Sequence, residues 1–309
     1  MFEGFDELRV QTSGADIALC RKGTGPGLLL LHGYPQTHVM WHRIAPRLAQ
    51  RYTVVCVDLR GYGASSKPPS DSTHAPYAKR AMAQDQVEVM QALGFERFAI
   101  IGHDRGGRVA YRLALDHPAR VAALSVLDIL PTSEHFERTD KTFALRYFHW
   151  FFLAQPFDMP ERLIGADPDA FYLRGDTSHF DPEALSHYRR AFREPATIHA
   201  MCEDYRAAAT LDLRTDQADK AAGKRISCPL QVLWGKRNLL ERCYDVLAVW
   251  RDWAQQLEGH AMTGMLRRDF LSQVALAGLG AVGTCAHAAP SGSAEKADTP
   301  VRSHGLSIY

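Results

Sequence analysis

Short, almost wholly apolar runs alternate along this chain with longer stretches in which apolar residues return every three or four positions. The runs are GLLLLHG (27–33), YTVVCVDLRGYG (52–63), FAIIG (98–102), VAALSVLDIL (121–130) and PLQVLWG (229–235). Unbroken apolar character over so few residues, ending in a glycine loop, predicts buried strands. Residues 81–93 and 105–117 carry the helical period, and Pro118 closes the second. This alternation predicts βαβ units, and hence a mostly parallel sheet flanked by helices. Residues 133–223 break the rhythm: they are rich in aromatics and charge, include FHWFFLAQP and read as helical. Helices inserted after the sixth-strand region would cap the carboxyl ends of the strands, where open α/β sheets hold ligands. The expected organisation is a core of residues 1–132 and 224–264 with a cap of residues 133–223.

The last 45 residues follow another pattern. MLRRDFLSQVALAGLGAVGTCAHAAP (265–290) places a twin arginine before an apolar run and then Ala286-His287-Ala288. That is the order of a twin-arginine export signal, here in the interior of a chain. The apolar run is shorter than the roughly 20 residues a membrane span needs. We read residues 265–309 as a foreign tail joined near Met265, its end resembling the disordered start of another mature protein. An amphipathic terminal helix is the other reading of the same run.

Composition narrows the function classes. Lys and Arg total 36 against 35 Asp and Glu, a formal net charge of +1, which points to neither a nucleic-acid nor a membrane partner. The six cysteines are scattered, without a CxxC pair or ligand-spaced histidines, as expected of reduced thiols in the cytoplasm and of a chain with no metal site or cofactor. MFEGFDELRV does not have the form of an export signal.

The chemistry centres on Gly102-His103-Asp104-Arg105-Gly106, between a predicted strand and a predicted helix. This is the G-x-Nuc-x-G pattern of a nucleophile elbow, whose glycines let a strained turn expose one side chain above the sheet. A serine there makes acyl esters. An aspartate instead attacks saturated carbon, displaces a leaving group and forms an alkyl ester. Taken alone, a GxDxG sequence also occurs as a structural turn. His32-Gly33-Tyr34-Pro35 follows the first long strand, where Gly33 and Tyr34 can provide an oxyanion amide and a pocket wall. Asp128 ends VLDIL and is placed to orient a histidine; the other position, after LWGKRN, offers Lys236, Arg237 and Asn238 but no adjacent carboxylate. Asp128 also suits a helix N-cap. Arg105 and Arg108 share one helix face beside Asp104, where a cation pair would clamp a substrate carboxylate. The alternative is pairing with residues such as Asp116, expected more of Arg108 than of Arg105.

HGYPQTHVMWHR, DLRGYG, GHDRGGR, LDILPT, HWFFLAQP and MCEDYRA together resemble the fluoroacetate (haloacetate) dehalogenases of the α/β-hydrolase fold, from about Phe5 to Ala261. The resemblance implies Asp104 as nucleophile, Asp128 as the triad acid, and Arg105 and Arg108 as the carboxylate clamp. It adds His149, Trp150 and Tyr205 as donors to the departing halide, and a homodimer. Without it, His149-Trp150 reads as aromatic core. The implied reaction converts a short 2-haloacid and water to the 2-hydroxyacid (glycolate from haloacetate) and halide.

Two departures alter this expectation. The segment from Tyr172 to Phe180 is shorter than in the relatives. The family's Gly-His-Phe, which carries the catalytic base, is absent: LEGHAMTG (257–264) runs straight into MLRRDF, and Gly259-His260-Ala261 matches an earlier, non-catalytic part of the pattern. Attack needs no base, but ester hydrolysis does. The chain is therefore expected to form the alkyl ester and stall, with His260, then His287 or His304, as surrogate bases. Two other readings stay open. An epoxide hydrolase would use Tyr172, Tyr188 or Tyr205 as acids, although Arg105 has no purpose with a neutral epoxide. A non-catalytic protein would bind small carboxylates only.

Overall fold

The computed structural model describes residues 1–262. Eight strands form one sheet: β1 (Asp6–Gln11), β2 (Asp16–Lys22), β3 (Gly27–Leu31), β4 (Thr53–Val57), β5 (Phe98–His103), β6 (Val121–Leu127), β7 (Leu230–Gly235) and β8 (Leu257–Met262). Their order is β1-β2-β4-β3-β5-β6-β7-β8. From β4 to β8 every pair is parallel, while β2 runs antiparallel to both β1 and β4. β1, β2 and β8 are absent from the expected series: polar residues alternate through β1 at the sheet edge, β8 carries Glu258 and His260, and the apolar run of β2, residues 17–20, is only four residues long.

The apolar runs are unbroken because both faces of the sheet are covered. Leu29, Leu31, Ile100, Val126 and Val232 enter one core; Leu28, Leu30, Ile101, Leu127 and Leu233 enter the other, with Trp41 and Leu48. The short helix α1 (Ala45–Leu48) covers that second face. Helices α2 (Lys79–Ala92) and α3 (Asp104–Asp116) lie within a residue or two of their predicted spans.

Only helices are described between β6 and β7: α4 (Thr132–Glu137), α5 (Lys141–Arg146), α6 (Phe148–Leu153), α7 (Met159–Ala166), α8 (Pro168–Tyr172), α9 (Pro182–Phe192), α10 (Pro195–Ala207) and α11 (Leu213–Ala221). A π-helical turn, Ala208–Asp212, joins the last two. Two more, α12 (Leu239–Cys243) and α13 (Val246–Arg251), precede β8. No described helix is long and apolar enough to cross a membrane. The signal-like tail, with His287 and His304, lies outside the described residues.

Candidate active site

The elbow forms where β5, in the middle of the sheet, turns into α3. His103 is still extended at φ −107°, and Asp104 then enters the left-handed region at φ +45°. Such a conformation costs a non-glycine residue about 1–3 kcal/mol and persists only where its surroundings impose it. The glycines do so by letting α3 approach the sheet. A Cβ on Gly102 would lie 2.6 Å from the Gly106 carbonyl, and one on Gly106 would press on the His32 carbonyl. Asp104 is thus held, buried, at the positive end of a 13-residue helix.

The loop after β3 lies directly on the elbow. Gly33 leaves no room for a side chain, since a Cβ there would be 2.8 Å from that of Asp104. The next amide, Tyr34 N–H, donates to Asp104 Oδ2 at 3.0 Å. His32 braces this loop: it accepts from Leu59 N–H at Nε2, so its proton sits on Nδ1, 2.9 Å from the Gly33 carbonyl. Burial pushes its pKa down to about 4, which keeps the brace neutral.

Asp128 follows β6 at φ +55°. Its Oδ1 accepts from Gly235 N–H and Asn238 Nδ2, both at 2.8 Å, while Oδ2 takes no hydrogen bond among the described residues. The two sites weighed for the acid therefore meet, with Asn238 after β7 holding the carboxylate offered after β6.

The arginines divide differently from expectation. Arg105 carries the carboxylate partner: its Nε donates to Asp204 Oδ2 at 3.0 Å and its Nη2 to the Asp204 backbone oxygen at 2.9 Å and to Oδ1. Burial opposes its charge, but Asp204 and Tyr205 outweigh that and raise its pKa well above the ordinary value. Arg108 donates from Nη1 only to neutral oxygens, Leu130 O at 3.0 Å and Thr132 Oγ1 at 3.3 Å, and has no ion pair among the described residues. Burial and then Arg105 lower its pKa, against the pull of Asp104. Asp116 pairs instead with Arg80, Arg112 and Lys224.

Aromatic side chains from α6 and α10 close over this end of α3. The Arg108 guanidinium lies 4.4 Å from the Trp150 ring centroid, and that of Arg105 lies 4.2 Å from Tyr205. Tyr34 stacks parallel to His149 at 5.7 Å and meets Tyr205 edge-on at 5.2 Å. His149 is neutral, its pKa lowered to about 3 by burial against the opposing pull of Asp104. Burial and Asp104 raise that of Tyr205 well above its usual value. Arg105 Nη1, Arg108 Nε, Trp150 Nε1 and Tyr205 Oη are all buried with no acceptor among the described residues. Each such group costs about 1–3 kcal/mol, more when charged.

Of the other expected residues, Tyr172 meets Tyr34 edge-on at 5.8 Å. Tyr172 Oη is 3.5 Å from Met201 Sδ, and Tyr188 lines, with Tyr172 and Arg174, a cavity of about 20 Å³ beside the segment expected to be short. His260 sits on β8 opposite Leu233, with no hydrogen bond to Asp104 or Asp128 and Nε2 unpartnered among the described residues. No candidate role was assigned to Lys79, Tyr62 or Asp204, which meet in the core beneath Arg105. The available signals were Tyr62's place in DLRGYG and Asp204's place in MCEDYRA, next to Tyr205.

Over residues 26–262 the chain matches a family model described as the alpha/beta hydrolase fold. A fluoroacetate dehalogenase of Burkholderia sp is 51% identical over 257 residues, 81% of this chain and 84% of that protein. A soluble epoxide hydrolase of Corynebacterium sp. (strain C12) is 32% identical over 249 residues, 78% of this chain and 83% of the other. Among solved structures, a candidate alpha/beta hydrolase of Nostoc sp PCC 7120 superposes with a TM-score of 0.86 at 52% identity, covering 91% of this chain and 99% of that one.

Proposed function

The chain belongs to the α/β-hydrolase fold family, and we propose that it directs the elbow aspartate at the carbon–halogen bond of a short 2-haloacid. One observation carries this reading: Arg108, buried with no ion-pair partner among the described residues, stands among four empty donors close to a carboxylate on an elbow. A buried cation of that kind calls for an anion from outside the chain. The substrate carboxylate would take Arg108 Nε and Arg105 Nη1, which holds the α-carbon before Asp104.

An Asp104 oxygen then forms the new C–O bond as the carbon–halogen bond breaks, and the halide leaves with the bonding pair. His149, Trp150 and Tyr205 would donate to it; hydrogen bonds to a charged group are worth about 1.5–3 kcal/mol each, and fluoride needs them most. Helices α4–α11 act in this reading as a cap that keeps water from competing for those donors. The charge balances, because the negative charge that Asp104 loses in the ester departs on the halide while the substrate carboxylate keeps its own.

Hydrolysis of that ester is the second half of the reaction. Water must lose a proton to a base as it adds to the Asp104 carbonyl, and Asp128 Oδ2 is the group left to orient one. LEGHAMTG continues without the family's Gly-His-Phe, so we propose that the chain takes one substrate molecule and stops at the alkyl-enzyme. A small haloacid is the partner, two chains pair as the resemblance implies, and the cytoplasm is the compartment. An epoxide hydrolase, the second reading, draws on the Corynebacterium relative, but it leaves Arg108 without a function.

The test is halide release from fluoroacetate and chloroacetate at known protein concentration, with intact mass read alongside. One halide per chain and a carboxymethyl adduct on the Asp104 peptide are expected. Many halides per chain would show that a base is present and the stall wrong. Neither halide nor adduct, with turnover of a terminal epoxide, would replace this reading by the second.

A further inference from the structure

A guanidinium has five N–H groups, and three of those on Arg105 are already committed to Asp204. The Tyr205 ring closes one face, 4.2 Å from Cζ. Nη1 alone has no acceptor among the described residues. Held on two edges and one face, the group offers its last edge in one direction only.

That arrangement raises an electrostatic difficulty. An arginine paired with a carboxylate is a neutral unit, with little attraction for an incoming anion. A second carboxylate, Asp212, lies in the same cluster and would make it net negative, and the structure offsets it with a second cation. Lys79 Nζ, 1% exposed on α2, pairs with Asp204 Oδ1 and lies 3.7 Å from Asp212 Oδ2. Tyr62 Oη donates to Asp204 Oδ2 at 2.7 Å and completes its coordination. Asp204 itself is fully buried, and nothing in the displacement or hydrolysis steps requires it or Lys79.

We propose that Asp204 and Lys79 are positioning residues for ester formation: Asp204 aims Nη1 of Arg105 at the substrate carboxylate, and Lys79 offsets the charge of Asp212, so that the two carboxylates beneath Arg105 do not repel an incoming anion. Both act through Arg105. The inference rests on the haloacid reading of the site.

The two roles give opposite signatures. Ester formation is followed by intact mass at a series of chloroacetate concentrations, and acetate, which cannot react, reports anion binding by calorimetry. Lys79→Met removes a buried charge, so the acetate Kd and the half-saturating chloroacetate concentration rise about tenfold while the saturating rate falls less than about threefold. Lys79→Arg brings both constants back to within about threefold of the starting protein. Asp204→Asn keeps the shape but loosens the guanidinium, so the saturating rate falls about 100-fold while acetate binds no more weakly.

A merely structural role lowers the melting temperature or the fraction of chains that react and leaves both constants of the reacting fraction unchanged. That result overturns the proposal, and the lysine pair decides it alone where Asp204→Asn does not fold. If the unsubstituted chain binds acetate but forms no ester, the haloacid reading fails and the Lys79 proposal does not fail with it. A tenfold loss of acetate affinity in Lys79→Met then supports the role of Lys79, and an unchanged affinity overturns it.

Discussion

Arg108 and Arg112 stand one turn apart on α3 and are equally buried, each 2% exposed, yet their surroundings are opposite. Arg112 pairs with Asp116 at 3.1 Å, Asp216 at 2.8 Å and Asp219. Arg108 pairs with none among the described residues, and its Nε has no acceptor. The far end of the helix is a closed ion-pair network that ties α3 to α11. The near end, beside Asp104, is a set of donors without acceptors. Burial alone therefore does not separate an arginine closed in an ion-pair network from one left without a counter-ion; the charge balance around it does.

Substituting the closed end has the largest expected effect. Arg112→Met leaves Asp216 buried without its cation, which costs about 3–5 kcal/mol of stability in denaturant unfolding. The rate of ester formation per folded chain is expected to stay within about threefold, the change left when a charge acts only at a distance. Arg108→Met inverts the result. It removes a cation the fold does not compensate, so unfolding stability holds or rises, while ester formation from chloroacetate slows about 100-fold through lost carboxylate binding. Equal losses of stability in the two variants would erase the comparison.

Smaller changes sharpen it. Trp150→Phe deletes one unpartnered donor, and fluoride release is expected to slow about tenfold, with bromide release slowed less. A slope in pH is the finest test. His149 has a folded pKa of about 3, lowered by burial, with Asp104, Arg174, Arg105 and Arg108 acting on it. Its unfolded value is about 6.5, so between those values the unfolded chain binds the extra proton and stability falls as the pH is lowered. His32, at about 4, adds to the same trend. His149→Gln is expected to flatten the slope by about 1.4 kcal/mol per pH unit between pH 4 and 6 in urea unfolding. An unchanged slope would mean that His149 is protonated in the folded state.

The elbow was legible because everything that makes it lies within five residues. Gly102 and Gly106 mark the places where a Cβ would strike the helix or the neighbouring strand, and the apolar run before them is β5. Gly33 was legible for the same reason. The carboxylate after β6 was only half so: the sequence points to Asp128, but not to Asn238, 110 residues on, as the group that holds it. The arginines misled. Arg105 was expected to be the freer of the pair, but Asp204 reaches it from 99 residues away and occupies three of its donors.

Period, glycine placement and turn chemistry are local properties, and by themselves they determined five of the eight strands, the two core helices and the position of the elbow aspartate. Which buried charges are cancelled and which are left open depends on carboxylates delivered by α10 and α11 to helices from the other side of the sheet's sequence. Coulomb interactions act over distance and ignore chain order, so only the assembled tertiary structure decided that Arg112 closes a network and that Arg108 has no ion pair among the described residues.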